Sequence, residues 1–141
     1  MSFTSWRMNM VESVSSAAFA EKVLQAEKPV VVDVWAEWCG PCRQQAPKFA
    51  AAAQRMGDDA VFLKLDADEN QALVKEYKIL GIPTMLYFSH GRLVERKTGV
   101  QSEEAIIKRL QPLFDYAPED AAHREIKGWF RNPFRRRKKS R

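Results

Sequence analysis

Two cysteines and two histidines are all that this 141-residue chain holds of the side chains that most often bind transition metals. Both cysteines, Cys39 and Cys42, fall in one short stretch, so no disulfide framework supports the fold and stability has to come from a hydrophobic core. His90 and His123 stand at no ligand spacing from them, which leaves a zinc or iron–sulfur site short of ligands. No apolar run approaches the roughly 20 residues of a membrane helix. The stretch MSFTSWRMNMVESV lacks the basic and apolar regions of a secretory signal. A reducing, cytoplasmic setting is therefore expected, and a static disulfide would not persist there.

What is present is apolar content of 45%, enough in a chain of this length for one well-buried core and too little chain for two ordinary domains. The net charge of +5 is unevenly placed. Residues 123–141 carry nine Lys and Arg against one Glu, a net of +8, so residues 1–122 carry a net of −3. An acidic fold with a basic appendage calls for two functional arguments.

The first begins at Trp38-Cys39-Gly40-Pro41-Cys42. The pentad follows the apolar run Val30 to Trp35 and precedes a helix-like stretch. Cysteines at i and i+3 in the first turn of a helix lie on one side, close enough to close a small disulfide ring. The unpaired N–H groups and positive end of the helix favour thiolate at the first sulfur. Cys39 is the candidate nucleophile and Cys42, one turn inside, the resolving thiol. Trp38 would pack beside the sulfurs, while Gly40 and Pro41 set the ring geometry.

Around the pentad the elements alternate. Residues 10–14 read as a short edge strand, and Ser15 or Ser16 can cap a helix with Phe19, Val23 and Leu24 at apolar positions. Val30 to Trp35 is a strand covered on both faces, interrupted by Asp33. An acid inside a buried strand needs a partner or a task, and desolvation raises its pKa. Pro41 to Met56 predicts a helix with Ala46, Phe49, Ala50 and Ala53 on one face, Pro47 as a kink and Gly57 as the stop. A strand over 60–65 contains Lys64, which can reach inward or point to solvent. Asn70 can cap a helix through Leu73, Val74 and Tyr77. Gly81-Ile82-Pro83-Thr84 opens the strand Met85 to Phe88; a hairpin turn, with His90 as a solvated turn residue, leads into Leu93 to Thr98. Gly99 is either a plain turn residue or a place where a partner's backbone comes close. Ser102 caps a last helix with Ile106, Ile107 and Leu110 inward, and Pro112 kinks or ends it. The pattern predicts an α/β domain with helices on both faces of a sheet.

Over residues 10 to 114 the chain resembles the thioredoxin family, bacterial type, in Asp33, Trp35, the pentad, Pro47, Lys64, Gly81 to Thr84 and Gly99, in order and at family spacing. The resemblance implies a thioredoxin fold with a central mixed five-stranded sheet, and a protein-disulfide reductase working by dithiol–disulfide exchange. It implies that Asp33 lies beneath Cys42 and moves its proton, and that Lys64 approaches Asp33. It also implies a cis Ile82-Pro83 bond facing the disulfide, where the Ile82 backbone can pair with an extended substrate segment. No cofactor is bound by the chain itself; a thioredoxin reductase using NADPH is the implied electron donor, disulfide-containing proteins are the substrates, and a monomer is expected. The domain boundaries drawn this way are 1–114 for the thioredoxin domain, 115–127 for a short extra helix from Pro118 stopped by Gly128, and 128–141 for a basic aromatic tail expected to be disordered.

Trp129, Phe130 and Phe134 interleave with Arg and Lys in that tail, a composition suited to an anionic membrane surface, to nucleic acid, or to solubility alone. From another class comes the competing reading of the whole chain, a thioredoxin-fold binding or chaperone-like module localised by its tail.

Overall fold

The computed structural model describes residues 10–126. The expectations placed on residues 1–9 and 127–141 lie outside them. Five strands make one sheet in the order β1-β3-β2-β4-β5, with β1 at Val11–Ser13, β2 at Val30–Trp35, β3 at Val61–Asp66, β4 at Thr84–Ser89 and β5 at Arg92–Thr98. β1 and β2 run parallel to β3, and β4 is antiparallel to both β2 and β5. This is the mixed five-stranded sheet expected. The all-buried Val30 to Val34 run lies at its centre. Strands covered on both faces can be continuously apolar because neither set of alternating side chains meets water.

Helices cover both faces. On one side lie α1 (Ser16–Phe19, widening into a π-helical turn over Ala20–Leu24) and α3 (Gln71–Glu76), whose Phe19, Val23 and Leu73 pack on Val30, Val32 and Val34. On the other lie α2 (Gly40–Met56) and α4 (Glu103–Leu110), with Phe49, Ala52, Ala53, Ile106 and Leu110 against Val31, Phe62 and Met85. Ser102 Oγ accepts from Ala105 N–H at 3.1 Å, the expected cap on α4. A 3₁₀ turn over Gln111–Asp115 continues that helix, with Pro112 in its first turn, and α5 (Pro118–Arg124) follows. Among the described residues no helix is long and apolar enough to cross a membrane.

Several local expectations change. Leu24 is 41% exposed, because the wider final turn of α1 carries it off the stripe that buries Phe19 and Val23. In α2 the inward face comprises Cys42, Gln45, Phe49, Ala52 and Ala53, with Ala50 exposed and Ala46 only partly buried. Asn70 precedes α3 but its side chain does not cap it. Its Oδ1 accepts instead from Ser16 N–H at 2.8 Å and Ser16 Oγ at 2.9 Å, joining the starts of α1 and α3. His90 is no free turn residue: Nε2 lies 2.8 Å from the Tyr116 carbonyl oxygen. The extra helix stops at Arg124, not Lys127, because the chain turns extended so that Ile126 N–H donates to the Leu93 carbonyl at 2.8 Å.

Candidate active site

The C-terminal end of β2 sets the position of everything reactive. After Trp35 the chain turns once and enters α2 with Cys39 as its N-cap, and Cys39 and Cys42 are joined as a disulfide with Cα atoms 5.2 Å apart. Cys42 N–H points at Cys39 Sγ at 3.2 Å, so the sulfur occupies the place of a capping oxygen. An anion there is stabilised by that N–H and by the positive end of the helix, which lowers the pKa of the thiol once the disulfide is reduced. Gly40 and Pro41 supply the first turn, where the proline's missing N–H leaves nothing unpaired. The pair is nearly covered, at 4% and 3% exposure, whereas Trp38 is 67% exposed and donates from Nε1 to Asp68 at 2.9 Å. That bond fixes the indole on the groove that Cys39 also lines.

Across from Cys39 stands the cis Ile82-Pro83 peptide. Cys39 Sγ lies 3.9 Å from the Ile82 carbonyl oxygen. An apolar groove of about 460 Å³ runs past Trp38, Cys39, Ile79, Leu80 and Ile82, and Leu80 is 95% exposed. Gly99, at φ +103°, donates its N–H to the Pro83 carbonyl at 2.8 Å, and a Cβ on it would meet nothing within 4 Å. Its positive φ is that of a turn glycine, and the space where a Cβ would stand is empty of the described residues.

Beneath the disulfide, Asp33, Lys64 and Cys42 line one cavity of about 190 Å³. Asp33 is 1% exposed and its Oδ1 has no hydrogen-bond partner among the described residues. Desolvation pushes its pKa up to about 7, against the smaller opposing pull of the Lys64 charge. Lys64 pairs in register with Asp33 and rests its Nζ 4.5 Å from the centre of the Trp35 ring, so it is held over the indole on the way to the carboxyl. A carboxyl poised near neutral pH, sharing a cavity with the inner sulfur, can accept and return a proton there. Among the described residues no group of three His, Cys, Asp or Glu side chains could hold a metal.

Sequence reasoning missed Gln45 and Gln101. Gln45 is fully buried in α2; its Nε2 donates to the Gln101 carbonyl at 2.9 Å and its Oε1 accepts from Gln101 N–H at 2.7 Å. The pair ties the loop after Gly99 to the helix that carries both cysteines. Glutamine at helical spacing among alanines reads as surface, and only the distant carbonyl and N–H reveal its partner. Gln45→Leu should orphan both main-chain groups and cost about 2 kcal/mol in chemical denaturation. It should also raise KM for protein disulfides more than for a small aromatic disulfide, since only the former needs the loop.

The thioredoxin family model matches residues 10–112. Thioredoxin of Rhodospirillum rubrum is 44% identical over 89 residues, covering 63% of this chain and 86% of that protein. Thioredoxin of Mycobacterium tuberculosis is 38% identical over 97 residues, covering 69% of this chain and 84% of the relative. The bifunctional thioredoxin reductase/thioredoxin of Mycobacterium leprae is 38% identical over 97 residues, covering 69% of this chain and 21% of that longer protein.

Proposed function

We propose a mechanism from the premise that this chain belongs to the thioredoxin family and is a thiol–disulfide oxidoreductase that reduces protein disulfides. In the dithiol form, Cys39 thiolate attacks one sulfur of a substrate disulfide. The substrate S–S bond breaks, a mixed disulfide forms on Cys39, and the departing substrate sulfur takes up a proton. Asp33 accepts the proton of the Cys42 thiol. Cys42 then attacks Cys39 Sγ, closing the Cys39–Cys42 bond and releasing the second substrate thiol. Two electrons pass from the dithiol to the substrate.

The remaining residues position these two. Main-chain groups of Ile82 and the open backbone at Gly99 can pair with an extended substrate segment, while Pro83 offers no N–H to compete. Trp38 shields the sulfurs from water and Lys64 limits how far burial raises the Asp33 pKa. The dithiol is regenerated by a thioredoxin reductase drawing on NADPH, a partnership in keeping with the printed name of the bifunctional Mycobacterium leprae relative. A reducing, cytoplasmic compartment suits this cycle, and the chain acts as a monomer.

The observation that carries the reading is Cys39 Sγ as the cap of α2, facing Ile82 and Pro83 with Asp33 below. A Cys39→Ser, Cys42→Ser double variant tests it. Reduction of a disulfide-bonded protein such as insulin should cease, and the cell's need for this chain should go unmet. Full cellular activity from that variant would instead favour the binding or chaperone-like module.

A further inference from the structure

Leu80 stands in water on a backbone that is fastened on both sides. It is 95% exposed, more than any other large apolar side chain among the described residues, and Trp38 comes next. Both line the groove that Cys39 also lines. A single exposed leucine is ordinary on a protein surface, but two exposed apolar side chains on one groove beside a reactive sulfur make a contact surface. Among the described residues that line this groove, none carries a charge.

The backbone ahead of Leu80 is held by β5. Tyr77 closes α3, Lys78 turns left-handed at φ +50°, and Ile79 N–H returns to the Val74 carbonyl at 3.0 Å. Arg96 then takes the two carbonyls at that helix end, donating from Nη1 to Tyr77 at 2.8 Å and from Nη2 to Lys78 at 3.3 Å. A planar fork across adjacent carbonyls fixes both directions together, and its charge suits a helix C-terminus. Ile79 is buried in the core below. On the far side of Leu80, Thr84 Oγ1 donates to the Gly81 carbonyl and meets Thr98 Oγ1 at 2.9 Å. Leu80 is therefore a projection between two anchored ends. A partner that covers it does not have to order it first.

From this juxtaposition we propose that Leu80, positioned by Arg96, selects disulfides whose attacked cysteine is flanked by a branched aliphatic or aromatic side chain, which enters the groove against Leu80. The inference rests on Cys39 as the attacking sulfur and adds which substrates it attacks fastest. The occupant is a segment of the disulfide-bearing substrate, because a chain that delivers sulfur to Cys39 has to lie against the groove that Cys39 lines. A space of about 460 Å³ admits one large side chain with its backbone. A polar side chain would lose water there and meet only apolar neighbours. Cover for a leucine that otherwise stands in water is worth roughly tenfold in affinity.

The test mixes reduced full-length protein with disulfide-linked homodimers of capped Gly-Xaa-Cys-Xaa-Gly, where Xaa is leucine or serine, and measures the released peptide thiol after acid quench. Each turnover closes the Cys39–Cys42 bond and yields two peptide thiols. Wild type should react with the leucine dimer roughly tenfold faster at low concentration, the difference lying in the half-saturating concentration and not in the limiting rate. Leu80→Ser should shrink that preference to about twofold, and Leu80→Met should restore most of it. Arg96→Gln should lower the preference by about threefold while Leu80 is present, and Arg96→Lys, which still reaches one carbonyl, by less. In the Leu80→Ser background Arg96→Gln should change it no further, a coupling that a merely structural arginine would not show. Equal rates for the two dimers with wild type, or a preference untouched by Leu80→Ser, would overturn the selection. Additive effects of the two substitutions would overturn the role of Arg96. Reduction of 2-hydroxyethyl disulfide, too small to fill the groove, reports the exchange chemistry by itself: its failure with wild type would sink the mechanism, whereas its success with equal peptide rates would sink only the selection.

Discussion

Replacing Cys39 by serine should bring protein-disulfide reduction down to the uncatalysed rate, a loss of more than about a thousandfold in kcat/KM. A serine hydroxyl in the same cap position keeps the hydrogen bond from Cys42 N–H, so the helix should start where it does now and the fold should survive. What disappears is a polarisable anion at neutral pH, since a hydroxyl is not ionised by one N–H and a helix end. Cys42→Ser should also abolish turnover, but for a different reason. Capture of substrate proceeds and release does not. Stopped-flow kinetics with excess disulfide substrate separate the two variants: a stoichiometric burst of one thiol from Cys42→Ser, and none from Cys39→Ser.

The second large effect concerns stability. Asp33 has a folded-state pKa of about 7 against an ordinary 3.8, so the folded protein is favoured when this carboxyl is protonated. Its contribution is intact below about pH 4 and is progressively lost as pH rises to about 7, because ionisation is easy in the unfolded chain and costly in the buried site. A shift of about three units corresponds to about 4 kcal/mol at most. In Asp33→Asn that loss should vanish. Denaturant unfolding of the oxidised protein at pH 4 and pH 8 should show wild type weakening relative to the variant by up to this amount, whatever the constant offset from the amide itself. The same substitution should slow the resolving step at pH 7 by about a hundredfold, the usual scale for loss of a positioned base. Equal pH dependence in both proteins would mean that the carboxyl is solvated.

These outcomes follow from features that were unevenly visible in the sequence. The pentad, Asp33 and the succession of strands along the chain were legible because each leaves a physical mark: sulfur at helical spacing, an acid in an apolar run, alternating apolar segments. The cis bond at Pro83, in contrast, was implied only by the family resemblance, since a proline at a strand start fits either isomer. The strands were easier than the helices. Val30 to Val34 can be read from β-branched content alone, whereas alanines at 46, 50, 52 and 53 carry too little hydrophobic contrast to fix which of them faces inward. Gln45 compounds the problem by being polar and buried. Asn70 and His90 misled for a related reason. Both are favoured at caps and turns by local bonding, and in both a partner far along the chain won, Ser16 for one and Tyr116 for the other. The docking of the chain back onto Leu93 was equally invisible, because main-chain groups leave no mark on sequence pattern.

The arrangement also explains why the two sulfurs divide their work. Cys39 faces the groove and Ile82, where a substrate backbone can lie, and Cys42 faces the cavity that holds Asp33. One sulfur meets the partner while the other meets the base. Reversing the roles would put the attacking thiol against a buried carboxyl and the resolving thiol at the surface.

The most direct measurement is therefore the site of the covalent intermediate. Cys42→Ser, mixed in its reduced form with a disulfide-bonded protein and quenched with acid, should yield a mixed disulfide that peptide mapping by mass spectrometry assigns to Cys39. Cys39→Ser treated identically should yield almost none. Equal capture by the two variants, or capture through Cys42 alone, would contradict the assignment of the cap sulfur as nucleophile and the mechanism built on it.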